Sequence, residues 1–415
     1  MGHAATAVDA GDGGPPSRLP RSGADMGNPP ARVRPGTGPA GTGPLRQRNG
    51  SPGFRALGSE GGGQGGMKPA ARAARLAARL ITDAPPDGED GPSGPALASA
   101  LRESGVLGAC AQLAHHPPEP LELLETLQTI GRANLSAGRI FEGHVNAAKL
   151  LMLHQGPVDG LSRGLLHGIW GADGRDPARI EDGILRGEKL FASGADVLDR
   201  IIVTAKEGDG LRLLLFSRAQ LHGRLFPGEW QVSGMKATAS GRCDLDGLAL
   251  SDAVVLGPPD AYLVEPHFQG GVWRYAAVQL GAMRALTAIA ADQLQERGQA
   301  DAPLQAMRLH RMILACETAR LWLEQAALAV ERPEAVASDA ETAILARLKT
   351  AEEAVALMDV MDQALGAASF ATTHPADRIR RDLSLYLRQA NPDGLMLGSL
   401  GRILADPGLR QRWIG

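Results

Sequence analysis

The stretch GEKLFASGADVLDRIIVTA, residues 187–205, decides how the rest of the chain is read. Leu190 and Phe191 lead into Ser193-Gly194-Ala195, and the β-branched run Ile201-Ile202-Val203-Thr204 follows a few residues later. This pattern predicts two β-strands joined by a turn of very small side chains, which lets a backbone approach another body closely. Residues 159–268 share the texture. Short runs such as LRLLLFSRA and LALSDAVVLG are broken by Gly, which predicts a middle antiparallel β domain.

Helical patterns flank that domain on both sides. Residues 67–158 include Leu121, Leu124, Leu127 and Ile130, then Val145, Leu150 and Leu151, at three- and four-residue spacing. Residues 269–415 carry YAAVQLGAMRALTAIAADQL, LHRMILACETARLWLEQAALAV and AILARLKTAEEAVALMDVMDQAL, Ala-rich and amphipathic. Long helices with short connections predict a C-terminal bundle. Pro333 ends one of these helices, and Ser338 with Glu341 predicts a capping box for the next. The fold class is therefore α+β multidomain: an N-terminal helical domain, the β domain, then the bundle. Residues 1–66, with 18 Gly and 9 Pro, read as a disordered, solvated tail, and Met67 is a candidate start for the folded protein.

Composition excludes several classes. A net charge of -3 argues against a polyanion-binding surface, and 4% aromatic residues disfavour stacking platforms for nucleic acid, so no nucleic-acid partner is expected. Cys110, Cys243 and Cys316 are too scattered for a disulfide framework or a zinc site, and suit a reducing cytoplasm. No segment has the ~20 apolar residues of a spanning helix, and no secretory pattern opens the chain, so no membrane is expected. MGHAAT fits the loose myristoylation pattern. GGGQGG has no preceding strand, there is no phosphate loop, and LGSLG does not place Ser at the centre of a nucleophile elbow. His115 and His116 are adjacent and diverge on a helix, and His144, His267 and His310 lack ligand spacing, so no metal is expected and structural or surface roles are.

Four segments occur in a fixed order: GIWGADGRDPARIEDGILRGEKLFASGADVLDRIIVTA, EWQVSGMKATASGRCDLDGLALSDAVVLGPP, GGVWRYAAVQLGAMRALTAIAADQL and HPADRIRRDLSLYLRQANPD. Together, over roughly residues 100–395, they resemble the acyl-CoA dehydrogenase superfamily. The resemblance implies a helical domain, a β domain and a four-helix bundle holding FAD. It also implies oxidation of an acyl-thioester-like substrate at a CH–CH bond, with hydride transfer to flavin N5 and a separate electron acceptor. A cytoplasmic homodimer or homotetramer follows, because the family builds its cofactor site across a subunit interface.

Residue by residue, Phe191 falls where the family usually has Trp against the flavin, and Ser193 where a hydroxyl bonds N5. The alternative for Ser193 is a strand-turn cap. GIWGAD, with Trp170 and Gly171, corresponds to the strand end that meets the pyrimidine edge. Thr238 and Ser240 fall near the acyl-carrier end of the substrate, or are turn residues bonding their own backbone. Arg297 corresponds to the Arg that reaches the FAD diphosphate of a neighbouring subunit, where a guanidinium forms charge-assisted bonds, although the Phe-Gly pair that follows it in the family is absent, and Gln305 is a further candidate to meet the cofactor. The alternative for Arg297 is a solvated Arg at a helix C-terminus.

The family's catalytic Glu is missing. Its two positions correspond to Ala390 and Trp273, neither acidic, and Asp393 is the candidate replacement. Three readings follow: a dehydrogenase using Asp393 or another base, a flavin-dependent monooxygenase or oxidase on the same fold, or a non-catalytic scaffold. HPADRIRRDL with His374 is reminiscent of the second.

Overall fold

Proline sets the start of most of the helices. In this computed structural model, which describes residues 68–389 and 391–415, α1 (Pro69–Asp83), α4 (Pro120–Ala133), α8 (Pro303–Val330), α10 (Pro375–Tyr386), α11 (Pro392–Ala405) and α12 (Pro407–Ile414) all carry Pro in the first turn. A fixed φ and a missing N–H cost nothing at that position. Helix α2 (Gly94–Glu103) carries one there as well; the remaining helices are α3 (Val106–Ala111), α5 (Leu135–Leu153), α6 (Asp159–Ser162), α7 (Val272–Glu296) and α9 (Ala340–Leu365). The Gly/Pro-rich tail, the MGHAAT pattern, Met67 and Ala390 lie outside the described residues.

Between α6 and α7 come nine strands: β1 (His167–Trp170), β2 (Arg179–Glu181), β3 (Ile184–Arg186), β4 (Glu188–Lys189), β5 (Arg200–Glu207), β6 (Gly210–Ser217), β7 (Leu225–Phe226), β8 (Arg242–Asp244) and β9 (Val254–Leu256). The main sheet runs β3-β2-β5-β6-β9, with β1 parallel to β5, from His167 beside Arg200 to Trp170 beside Val203. The β5–β6 hairpin turns at Gly208, whose φ of +59° suits glycine. A second sheet, β4-β8-β7, is antiparallel. The 187–205 stretch therefore places its two strands in different sheets, and its small-residue turn crosses between them.

The helices pack on one another at glycine. A Cβ on Gly281 of α7 would sit 2.3 Å from the Gln128 carbonyl of α4, and one on Gly131 of α4 would sit 2.3 Å from the Val278 carbonyl. These helices touch backbone to backbone, which sets α5 beside α7 as well. One apolar core runs from the N-terminal helices through the sheet into the bundle, and a smaller one joins α5 (Ala147, Leu151) to the sheet (Ile202, Leu213). Among the described residues no helix is long and apolar enough to cross a membrane.

The capping box at Ser338 and Glu341 does not form. Asp339 accepts instead from the Val336 amide (3.0 Å) and from Arg332 (2.7 Å). That leaves Glu341 buried and free to bind Ser399 (2.5 Å) and Arg402, which tie α11 to α9.

Gly281→Ala should destabilise the protein by about 1–3 kcal/mol, the usual range for overpacking. Gly401→Ala in α11, where a Cβ meets nothing within 4 Å, should stabilise it by up to about 1 kcal/mol. Urea unfolding midpoints of the two variants check both signs.

Candidate active site

Two turns from different parts of the β layer lean on each other. The Ala192 amide donates to the Gly241 carbonyl (3.0 Å) and the Gly194 amide to the Thr238 carbonyl (2.6 Å). Their hydroxyls then form a row: Thr238 and Ser240 are 2.7 Å apart, and Ser240 donates to Ser193 at 2.9 Å. Thr238 Oγ1 is also 2.7 Å from the Met235 carbonyl, so its single proton serves either Ser240 or its own turn. Phe191, Met235 and Ala239 all have left-handed backbones, at φ +53°, +56° and +44°. Non-glycine residues hold this conformation only where their surroundings over-determine it, and such strain collects at functional sites.

These turns form one side of a cavity of about 1070 Å³. Trp170, Gly171, Phe191, Ser193, Thr238 and Ser240 all line it. The Trp170 indole donates to the Ser193 carbonyl (3.0 Å), and the buried Lys189 ammonium holds the Gly171 carbonyl (3.1 Å), Asp173 (2.7 Å) and Thr204 (2.8 Å). Phe191 stays 60% exposed, edge-on to Trp230 at 6.1 Å. From the bundle, the Asp382 carboxylate accepts from the Met235 amide (2.5 Å), fastening α10 to the 235–241 turn. Burial pushes that carboxyl up to about 6.

Other residues singled out in the sequence lie elsewhere. Asp393 is exposed in the first turn of α11 and does not line the cavity, because Asn391 caps a new helix there and accepts from the Gly394 amide (3.1 Å). Arg297 is exposed at the end of α7 and donates to Gln293 (3.1 Å), and Gln305 donates to the Ala364 carbonyl (3.1 Å). Neither lines the cavity. His374 caps α10 through Nδ1, and its Nε2 is 2.7 Å from Gln293. Trp273 is buried, with its indole donating to Glu331 (3.1 Å).

Glu331 is the centre of a buried charge network that sequence reasoning missed. Lys149 (2.5 Å) and Arg274 (2.7 Å) both pair with it. Arg274 also donates to Asn146 (3.1 Å), Asn146 to Glu142 (2.5 Å), and Arg139 to Glu142 (2.6 Å). Burial works to raise the Glu331 carboxyl, but Arg274 and Lys149 outweigh it and hold it at about 2. Burial lowers Lys149 to about 8, and burial with Lys149 and Arg274 lowers His267 to about 4, so that imidazole is neutral at pH 7. Among the described residues Glu142 is the only carboxylate lining the cavity. The available signal was the polar series Arg139, Glu142, Asn146 and Lys149, spaced along one face of an otherwise apolar helix.

With its helices, β layer and helical bundle the chain carries the acyl-CoA dehydrogenase-type fold, as its likenesses show. Residues 263–388 match the acyl-CoA dehydrogenase C-terminal domain family. Dibenzothiophene monooxygenase TdsC from Paenibacillus sp. A11-2 is similar at TM-score 0.69 and 19% identity, covering 81% of this chain and 96% of that one. Methanesulfinate monooxygenase MsuC from Pseudomonas fluorescens gives 0.67 and 19%, covering 81% and 97%. Podospora anserina nitroalkane oxidase gives 0.66 and 18%, covering 81% and 95%. No curated protein sequence matches the chain.

Replacing Glu331 with Gln leaves Lys149 and Arg274 buried without their carboxylate, and should destabilise the protein by about 3–5 kcal/mol at neutral pH. Because the folded-state carboxyl sits near 2 against an ordinary 4.5, that contribution is complete above about pH 4.5 and fades as pH falls toward 2. Denaturation midpoints of both proteins across that range should converge on acidification.

Proposed function

We propose that the chain is a flavin-dependent oxidoreductase of the monooxygenase or oxidase type, which oxidises a small substrate without a carboxylate base. The carrying observation is the cavity's acid content. Its only carboxylate among the described residues, Glu142, already accepts from Arg139 on one oxygen and Asn146 on the other. Asp393, the candidate base, faces solvent. Two of the structural relatives are monooxygenases, which supports the same reading.

The residues present suit a flavin. Phe191 offers an uncovered ring at the mouth, and apolar area buried against a planar ring is favourable. Ser193 receives a hydrogen bond from Ser240, while its own proton reaches only the Phe191 carbonyl at 3.4 Å. That proton is free to turn to an acceptor such as N5. A bound flavin supplies hydride acceptance at N5 and, when reduced, reaction with dioxygen. The chain would supply the rest: Ser193 as donor, Trp170 fixing the Ser193 carbonyl, and Tyr262 with Phe268, rings 4.9 Å apart, as aromatic wall. TdsC has been solved with FMN, so FMN and the FAD of the family resemblance are both served by this reading.

Arg297 and Gln305, outside their own chain's cavity, would serve the cofactor of a second subunit in a homodimer or homotetramer. Met307, Leu314, Leu321 and Leu328, exposed at seven-residue intervals along α8, form the apolar stripe such an assembly would cover. A second reading, acyl-thioester dehydrogenation, has Glu142 as its base, since no other carboxylate among the described residues lines the cavity.

Substrate oxidation under oxygen should require added reduced flavin if the chain is a monooxygenase and none if it is an oxidase, and Ser193→Ala should slow it about tenfold or more in either case. Anaerobic bleaching of the flavin by an acyl-CoA, abolished in Glu142→Gln, would instead establish the dehydrogenase.

A further inference from the structure

Among the described residues, the cavity is lined by Arg139, Lys149, Arg274 and Arg388 as its cations, and the first three are paired. Arg139 meets Glu142, and Lys149 and Arg274 meet Glu331. Arg388 is different. It follows the end of α10, is exposed, and its side chain has neither an ion pair nor a hydrogen-bond partner among the described residues. Its guanidinium is therefore both reachable and unspent.

The backbone that carries Arg388 is held from behind. Its amide donates to the Leu385 carbonyl (3.0 Å), and the Gln389 amide to the Tyr386 carbonyl (3.1 Å). The fully buried Arg347 of α9 donates to the Leu387 carbonyl (2.6 Å) and reaches the Gln389 carbonyl at 3.5 Å, one on each side of Arg388. Arg347 does not line the cavity, and its charge is met by those carbonyls and the Tyr275 ring (5.1 Å to its centre) rather than by a carboxylate. A buried cation so placed makes the potential at the wall in front of it more positive.

Charge along the lining points the same way. Four cations face one lining carboxylate, Glu142, with Glu331 behind the wall as the second. Low-dielectric walls focus such a surplus and draw anions inward. A free guanidinium suits an oxyanion, which it holds through two parallel charge-assisted hydrogen bonds. Other parts of the lining are apolar, with Leu150, Ile169, Val264 and Phe268 among them.

We propose that Arg388 is an anion anchor of the cavity, taking an oxyanion of a ligand whose apolar body lies against the other walls. The oxyanion has two sources, the acid group of a small organic substrate or the phosphate of a flavin, and the test separates them. The proposal rests on the proposed function only in placing the ligand in this cavity.

Two pairs of ligands, each differing in one charged group, read the anchor. FMN and riboflavin differ by a phosphate, and flavin fluorescence follows their binding to the full chain. Hexanoate and hexanamide differ in the charge of the head group, and calorimetry follows their binding to the flavin-loaded chain. In at least one pair the anion should bind about tenfold tighter or more. Arg388→Gln should erase that preference and leave the neutral member's affinity in place, and Arg388→Lys should keep part of it. Loss in the flavin pair assigns the anchor to the cofactor phosphate, and loss in the acid pair assigns it to the substrate. Equal binding within both pairs would overturn the proposal, and so would a preference that survives Arg388→Gln. A chain that binds neither flavin sinks the oxidoreductase reading instead, and a hexanoate preference that depends on Arg388 in the unloaded chain leaves the anchor standing.

Discussion

The buried Glu331 carboxylate is the fixed point of the molecule. It follows the last turn of α8, and its oxygens receive the Trp273 indole and Arg274 from α7 and Lys149 from α5. Three helices converge on one anion with no measurable exposure. In a low-dielectric interior such a group is tolerated only with charged partners in good hydrogen-bond geometry, and here two cations and an indole engage it. From Arg274 the linkage continues through Asn146 and Glu142 to Arg139 at the cavity wall. The polar face of the site is thus set by packing that lies behind it, which gives the preorganisation that chemistry on bound substrates needs.

The opposite wall is built from backbone. The 191–195 and 235–241 turns exchange amide bonds, hold left-handed residues and aim their hydroxyls into the same space. They are steadied from the bundle: Asp382 accepts from the Met235 amide, Arg381 donates to the Ser233 carbonyl (2.6 Å), and a Cβ on Gly234 would strike the Arg381 carbonyl at 2.3 Å. Turns that would otherwise relax are clamped between a sheet and a helix.

Much of this was legible in the chain itself. Three- and four-residue spacing marked the helices, the β-branched run IIVT marked β5, the short apolar run LRLLLF marked β6, and KLFASGA with KATASG marked the turns that meet at the cavity. What stayed hidden has physical reasons. Arg139, Glu142, Asn146 and Lys149 look in sequence like the solvated face of a helix, and only the burial of Glu142 and Lys149, with Arg139 and Asn146 half-buried beside them, shows otherwise. Asp393 follows the expected base position closely in sequence, but Asn391 takes a left-handed backbone (φ +46°) and starts α11, which carries Asp393 outward. The parallel pairing of β1 with β5 is a non-local choice that alternation along one strand does not encode.

The clamp from α10 has a consequence for how the protein comes into being. On the ribosome the turns at 191–195 and 235–241 emerge long before Asp382 does, and domains take shape from the N-terminal side as the chain is made. Until α10 arrives, the row of hydroxyls faces open solvent and its strained backbone has no counterweight. The chamber is therefore a late product of biogenesis, closed by contacts between distant parts of the chain, and such contacts form slowly.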